Sequence, residues 1–385
     1  MLCDRAGVNL AELVDAVTRK VVFDLALPAQ ATFSISGRSP QVSEIRELYT
    51  DLRCYRWNDN TNRDDLLFRG RIGQTQDTLS VDVHTVAVTA LDYRAMLGRR
   101  VIPYWLFWTQ VEQLQIAEDL VNHANTLNFY WQPPPFGTNG NLGINPFGGR
   151  LNPNSTPLAP GTTMLRDRTY QGGETVGEMV NNLANCLGGF DWEIGADLQA
   201  RFWYPQRGVT VTDWVAEYGS TVAAVSRTVN SSAYANWVRV TGKALDPQLP
   251  PMASTAYQTN LSDPGQTPWG IWQSPGSYPD ISDQTTLDQQ AAGLLATTAL
   301  LEPSYVLNLT PGTWNPSDCW LGDTVAVVIN SGRLAVNNAF RVKTIGFDIT
   351  DEGTEHATLT LGTAAPRWTS AGIETSLRID RLERR

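Results

Sequence analysis

Alternation with period two dominates the chain. Across 83–91 the apolar Val86, Val88 and Ala90 alternate with Thr85, Ala87 and Thr89, which puts one set of side chains on each face of a sheet. Similar short runs, rich in Val, Thr and aromatic residues and bounded by Gly, Asp and Asn, occupy 21–27, 31–36, 51–57 and 66–73. The block from 21 to 103 therefore reads as a small antiparallel barrel or sandwich. Asp92 to Gly98 reads as a short helical turn with a glycine stop.

Over 105–204 the period changes to 3.6. Thr109 stands three residues before Glu112, a capping-box spacing, and Val111, Leu114, Ala117, Val121 and Ala124 share a helix face. Thr175 and Glu178 repeat the box ahead of a stripe of Val176, Val180, Leu183 and Leu187, with Gly188-Gly189 as a left-handed stop. Between these helices, 132–161 is dense in Pro, Gly and Asn and reads as a long surface loop. Segments 190–194 and 198–204 read as a hairpin turning at Gly195-Ala196-Asp197.

Strands are expected again at 221–229 and 237–241, followed by a Pro-, Ser- and Gly-rich stretch over 245–283 that carries Trp269 and Trp272. A helix is expected over 287–301, with Leu287, Ala291, Leu294, Thr298 and Leu301 on one face and Pro303 ending it. Further strands fall at 305–309, 324–329, 333–336, 340–349 and 356–361. Within 340–349 the apolar parity moves from Phe340 and Val342 to Ile345, Phe347 and Ile349, which calls for a bulge near Thr344. The segment 371–385 is charged and reads as a tail.

Two hairpins echo one another. Phe68-Arg69, Ile72 and His84-Thr85 match Phe340-Arg341, Ile345 and His356-Ala357, with the same Phe-to-His interval in both, as expected if one β unit occurs twice.

Composition narrows the function. The 385 residues carry 39 acidic against 29 basic side chains, a formal charge of −10, which argues against a binder that neutralises phosphates. Cys3, Cys54, Cys186 and Cys319 are widely spaced without a C-x-x-C pair and read as buried free thiols. The first 20 residues carry charges throughout, and no run of 18 apolar residues occurs, so neither a signal peptide nor a membrane span is expected. His84, His123 and His356 have no metal-ligand spacing, and neither G-x-S-x-G nor a phosphate loop is present. No catalytic residue, cofactor or metal is assigned, and the chain is not expected to be an enzyme. A glycosidase carboxylate pair stays open on sequence alone. Trp269 and Trp272, in the loop-rich stretch, are the candidate exposed aromatic platform, and they motivate an alternative reading as a carbohydrate-binding or glycan-cleaving protein.

The runs Ala31-Thr32-Phe33-Ser34-Ile35, Leu52-Arg53-Cys54-Tyr55-Arg56, Leu67-Phe68-Arg69-Gly70-Arg71-Ile72 and His84 to Arg100 resemble minor tail proteins of long-tailed actinobacterial phages, in the baseplate or tail-tip hub family. Leu321-Gly322-Asp323-Thr324-Val325, Phe340-Arg341-Val342 and the strand from His356 to Gly362 are similar to that family's second barrel. The resemblance implies a mainly β fold with α+β insertions: two tube-type antiparallel β-barrels per chain plus two smaller helix-containing domains. The expected organisation is an arm at 1–20, a first barrel at 21–104 and an α+β insertion at 105–204. A second barrel is split between 205–244 and 315–365 around a loop-rich insertion with one helix at 245–314, and a tail covers 366–385. The implied role is a structural virion protein, a homotrimeric hub at the distal end of the tail, made in the bacterial host cytoplasm. It would join the six-fold tail tube to the three-fold tip and line the DNA exit channel. Implied partners are itself, a distal tail or tail tube protein, the tape measure protein and other minor tail or tip proteins. DNA would pass transiently without specific binding, and no stable membrane association is implied. Only a short tail follows the last expected strand, so no cell-wall-digesting extension is expected.

Overall fold

Residues 1–4, 6–58, 61–126, 142–186, 188–232, 234–244, 250–258, 270–279, 281–299 and 303–363 are described by a computed structural model. The first half of the chain runs through β1 (Leu2–Cys3), β2 (Asn9–Ala11), β3 (Val17–Asp24), β4 (Gln30–Ser36), β5 (Asp51–Asn58), β6 (Arg63–Leu79) and β7 (His84–Asp92). Val86, Val88 and Ala90 are buried, so the alternation at β7 marks the core face as its period requires. Asp92 then caps α1 (Tyr93–Leu97), its carboxylate accepting from the backbone N–H of Ala95. Residues 1–20 were expected as an arm; instead β1 pairs with β5, β2 pairs with β1, and Leu2 and Cys3 are fully buried.

A first insertion contains β8 (Leu106–Glu112), α2 (Gln113–Thr126), β9 (Asn145–Leu151), β10 (Leu165–Tyr170), α3 (Val176–Ala184), β11 (Asp191–Ile194) and β12 (Gln199–Trp203). The Thr175–Glu178 capping box forms in full ahead of α3, and Gly188 takes a φ of +67°. The Thr109–Glu112 box does not form. Both residues lie in β8, which pairs with β10, and the helix starts one residue later with Leu114, Ala117, Val121 and Ala124 buried. Part of the expected loop is also ordered differently: β9 runs parallel to β12, because an extended segment beside the open edge of the β11–β12 hairpin satisfies its backbone groups there.

The second half begins with β13 (Thr210–Glu217) and β14 (Val222–Val229). A second insertion follows, of β15 (Trp237–Thr241), β16 (Ala253–Tyr257), β17 (Gln273–Ser277) and α4 (Gln284–Thr298). β15 had been expected in the second barrel, but it lies between β16 and β17 in a separate three-stranded sheet under α4, with Val238, Val240, Leu287 and Ala291 forming a local core. The chain then returns through β18 (Pro303–Leu309), β19 (Thr324–Ile329), β20 (Val336–Ile349) and β21 (Glu355–Thr363). Of the expected strand 333–336, Arg333 and Leu334 lie in a 3₁₀ turn and only Val336 is in a strand, at the start of β20. The parity change in β20 is a register shift between Val342 and Thr344. The expected tail at 366–385 lies outside the described residues.

Thirteen strands form one sheet in the path β14-β18-β21-β20-β3-β4-β7-β6-β5-β1-β2, with β19 added to β20 and β13 to β19. The protein is mainly β, and the two halves share one apolar core that runs from Leu2 to Leu361. Among the described residues no strand pairing closes either half into a barrel, since the sheet ends at β14, β13 and β2. No described helix is long and apolar enough to cross a membrane.

Each half repeats one order. β3, β4, β7, β6 and β5 lie side by side, and β14, β18, β21, β20 and β19 lie in the same order, every neighbouring pair antiparallel. Corresponding strands also follow the same order along the chain, with the second insertion placed where the first half has only the short β3–β4 turn.

Candidate assembly surface

The register of the repeat differs from the one suggested by the matched Phe and His residues. β6 carries its bulge between Ile72 and Gln74, and β20 between Val342 and Thr344. Leu48 N–H donates to Ile72 O at 2.8 Å and Ile72 N–H to Thr50 O at 3.1 Å; Gly322 N–H donates to Val342 O at 2.9 Å and Val342 N–H to Asp323 O at 2.8 Å. The Arg71 guanidinium donates to Leu48 O at 3.2 Å, and that of Arg341 to Gly322 O at 3.1 Å. Three kinds of bond thus make Arg71 the counterpart of Arg341 and Ile72 that of Val342, two residues away from the Phe68–Phe340 match. Hairpin pairing then makes His84 the counterpart of Glu355, not of His356.

The repeats meet where β3 pairs with β20. Val21 lies opposite Phe347, Phe23 opposite Ile345 and Lys20 opposite Asp348. The junction is pinned at one end by Leu25 N–H to Lys343 O at 2.9 Å and Thr344 Oγ1 to Asp24 Oδ2 at 2.8 Å. Phe23 packs on Trp320 and Phe347 with ring centroids 5.3 and 6.0 Å apart, and Trp314 adds a further ring to Phe347 at 5.5 Å. Arg56 donates to both carboxylate oxygens of Glu355, at 2.9 and 3.1 Å, tying β5 to β21. Apolar burial and the Arg56–Glu355 ion pair make this an internal interface between two like units.

Arginines rivet the first insertion to this sheet. Arg341, 3% exposed, pairs with Asp191, 7% exposed, and also donates to Arg207 O at 2.9 Å, while Arg207 N–H donates to Asp191 at 2.7 Å. Arg94 lies 4.3 Å over the Trp192 ring and donates to Leu25 O at 3.1 Å. None of these partners is close in sequence, so no spacing signal could have found them.

A cleft of about 330 Å³ opens between the first half, the β11–β12 turn and Trp320. Its carboxylates are committed to structural bonds. Asp24 accepts from Ala26 and Leu27 N–H, Asp92 from Ala29 and Ala95 N–H, Glu193 pairs with Arg201 and Arg207, and Asp197 pairs with Arg201. Burial pushes the Asp92 carboxyl up to about 7, against the pull of the Ala29 N–H and the Arg94 charge. Among the described residues no cluster of three or more His, Cys, Asp or Glu could hold a metal. His84 contacts Asp77 at 3.2 Å, His356 is exposed, and His123 Nδ1 meets the Tyr104 hydroxyl at 2.8 Å, with burial lowering its pKa. Cys3, Cys186 and Cys319 are buried and Cys54 half-buried, all as free thiols.

Of the two tryptophans singled out from the sequence, Trp269 lies outside the described residues. Trp272 is 46% exposed at the edge of the second insertion, its backbone held by Asn236 and its ring in edge contact with Tyr234 at 6.4 Å.

Sequence reasoning did not single out two strand edges. β14 pairs with β18 on one side, and among the described residues no strand pairs with the other side. β5 covers β6 only from Arg63 to Arg71, so from Gln74 to Leu79 β6 has β7 on one side and no strand on the other. Both edges carry exposed apolar residues, Leu79 at 77% and Val229 at 46%. Open strand edges of this kind are templates for pairing with another chain.

No protein-family model matches the chain, and no curated protein matches it by sequence. Solved structures do match. A tail protein from Neisseria meningitidis shares 14% identity over 95% of this chain and 96% of its own, with a TM-score of 0.59. The 43 kDa tail protein of prophage MuSo2 from Shewanella oneidensis shares 11% identity over 94% and 97%, with a TM-score of 0.60. An Escherichia coli protein, described as a component of the type VI secretion system with structural similarity to bacteriophage T4 tail proteins, shares 12% identity over 96% of this chain and 78% of its own, with a TM-score of 0.50. Along almost its whole described length, the chain is similar in fold to these tail proteins.

Proposed function

We propose that this chain is a structural virion protein, a homotrimeric tail-tip hub that joins a six-fold tail tube to a three-fold tip and lines the DNA exit channel. The repeated strand order carries the reading: three chains with two like units each supply six nearly equivalent edges around an axis, which a six-to-three symmetry change requires. Fold likeness to tail proteins supports the same reading. In this arrangement each half becomes one tube-type barrel unit, with its open sheet completed by its neighbours. The two insertions decorate the outside and meet the distal tail or tail tube protein, the tape measure protein and other tip proteins. The net charge of −10 suits a channel that DNA must leave, because like charge opposes adhesion. The chain would sit at the distal end of the tail and is assigned no catalytic role. Electron-microscopy class averages of the purified protein test this: a three-fold ring with six similar lobes is expected, and a population of monomers alone counts against it.

Exposed Trp272, beside Tyr234, favours a second reading as a carbohydrate-binding tail protein. Glycan-array binding that disappears in Trp272→Ala would support it, and no binding by the unaltered protein would remove it.

A further inference from the structure

The internal junction specifies a second one. Starting from Ile72 and Val342 as counterparts, the hairpin registers make Ala90 the counterpart of Leu361 and Val86 that of Ala357. The next strand over makes Ala31 the counterpart of Tyr305, since they lie opposite Ala90 and Leu361. One strand further, Val21 lies opposite Ala31 and Arg227 opposite Tyr305, so Arg227 in β14 stands where Val21 stands in β3. On the other partner, Asp77 pairs with Val86 and Phe347 with Ala357, so Asp77 in β6 stands where Phe347 stands in β20.

Val21 and Phe347 face each other within the chain. The edges that repeat this arrangement, β14 and residues 74–79 of β6, have no strand beside them among the described residues. We propose that they pair with each other between copies: β14 of one chain adds antiparallel to the open part of β6 of the next, with Arg227 opposite Asp77. The same register sets Val225 opposite Leu79 and Val229 opposite Thr75.

The side chains along this line complement one another. An arginine meets an aspartate at the centre, and two exposed apolar side chains, Leu79 and Val229, are covered at the flanks. Arg227 makes no ion pair among the described residues, while Asp77 holds His84 at 3.2 Å and would exchange or share it. Lys20–Asp348 and Val21–Phe347 give the internal junction one charged and one apolar pair; the junction between copies keeps both kinds with their positions changed. The contact is head-to-tail, so it closes into a ring when the rotation per chain allows.

This assignment rests on the ring reading, and its test separates the two. Asp77→Cys combined with Arg227→Cys is expected to give covalent rings under oxidant, with neither single variant doing so; the native thiols, buried or half-buried, provide the blank. Asp77→Arg and Arg227→Asp are each expected to abolish the ring, and the double reversal to restore it. A ring by electron microscopy that resists cross-linking and ignores all three reversals overturns the register and leaves the ring standing. A chain that stays monomeric and uncross-linked overturns both.

Discussion

Buried charge gathers where the first insertion meets the duplicated sheet. Arg341 and its counterpart Arg71 make the same bond to a loop carbonyl, yet only Arg341 is enclosed, because Asp191 and the Arg207 carbonyl close over it. Removing one partner strands the other charge, so Asp191→Ala is expected to cost about 3–5 kcal/mol. Urea midpoints would measure this, and a loss below about 1 kcal/mol, typical of exposed pairs, would show that the rivet is hydrated. Asp92 gives a pH signature. Its pKa is raised from 3.8 to about 7, so the native state binds the proton more tightly than the unfolded chain does. The contribution is complete below the unfolded value and is lost as pH rises to about 7, the reverse of a salt-bridged carboxylate. Relative to Asp92→Asn, the unaltered protein should lose stability between about pH 4 and 7 and then level off; a difference independent of pH would contradict the assignment.

At the scale of elements, two identical sequence signals met different fates. Thr175 caps α3, its hydroxyl accepting from Glu178 N–H, whereas Thr109 sits exposed in β8. Thr175→Ala should cost about 1 kcal/mol and Thr109→Ala almost nothing, as thermal or urea melts would show. The box is a local motif and forms only if the chain is free to begin a helix there; β8 is instead held by its ladder to β10. The bulge in β20 was legible because a parity change must be absorbed by an extra residue, whereas the matching bulge in β6 was hidden by the polar Gln74, Gln76 and Thr78 that follow it.

For the whole molecule, the shared core makes the two halves one cooperative unit. Phe347 lies at its centre, against Phe23 from one repeat and Trp314 and Trp320 from the other. Phe347→Ala is expected to cost about 3–5 kcal/mol and to lower the unfolding midpoint of both halves together. Tryptophan fluorescence and circular dichroism should give coincident transitions for the sheet, while separate transitions for the halves would show that β3–β20 is a weak seam.

The β-rich class, most strand positions and the two-helix character of the first insertion are readable in the sequence, because they follow from local periodicity, caps and turn residues; the hairpin echo pointed to a repeat through residues that are not counterparts. Long-range pairing takes β15 out of the main sheet, brings residues 1–11 into it, and offsets the repeat from its matched residues. Those choices depend on which backbone edges find partners far along the chain, and periodicity carries no record of pairing. The candidate surface was illegible for the same reason: an open edge is defined by the absence of a neighbour, and the pairing proposed for Arg227 and Asp77 follows only from the register of eight strands.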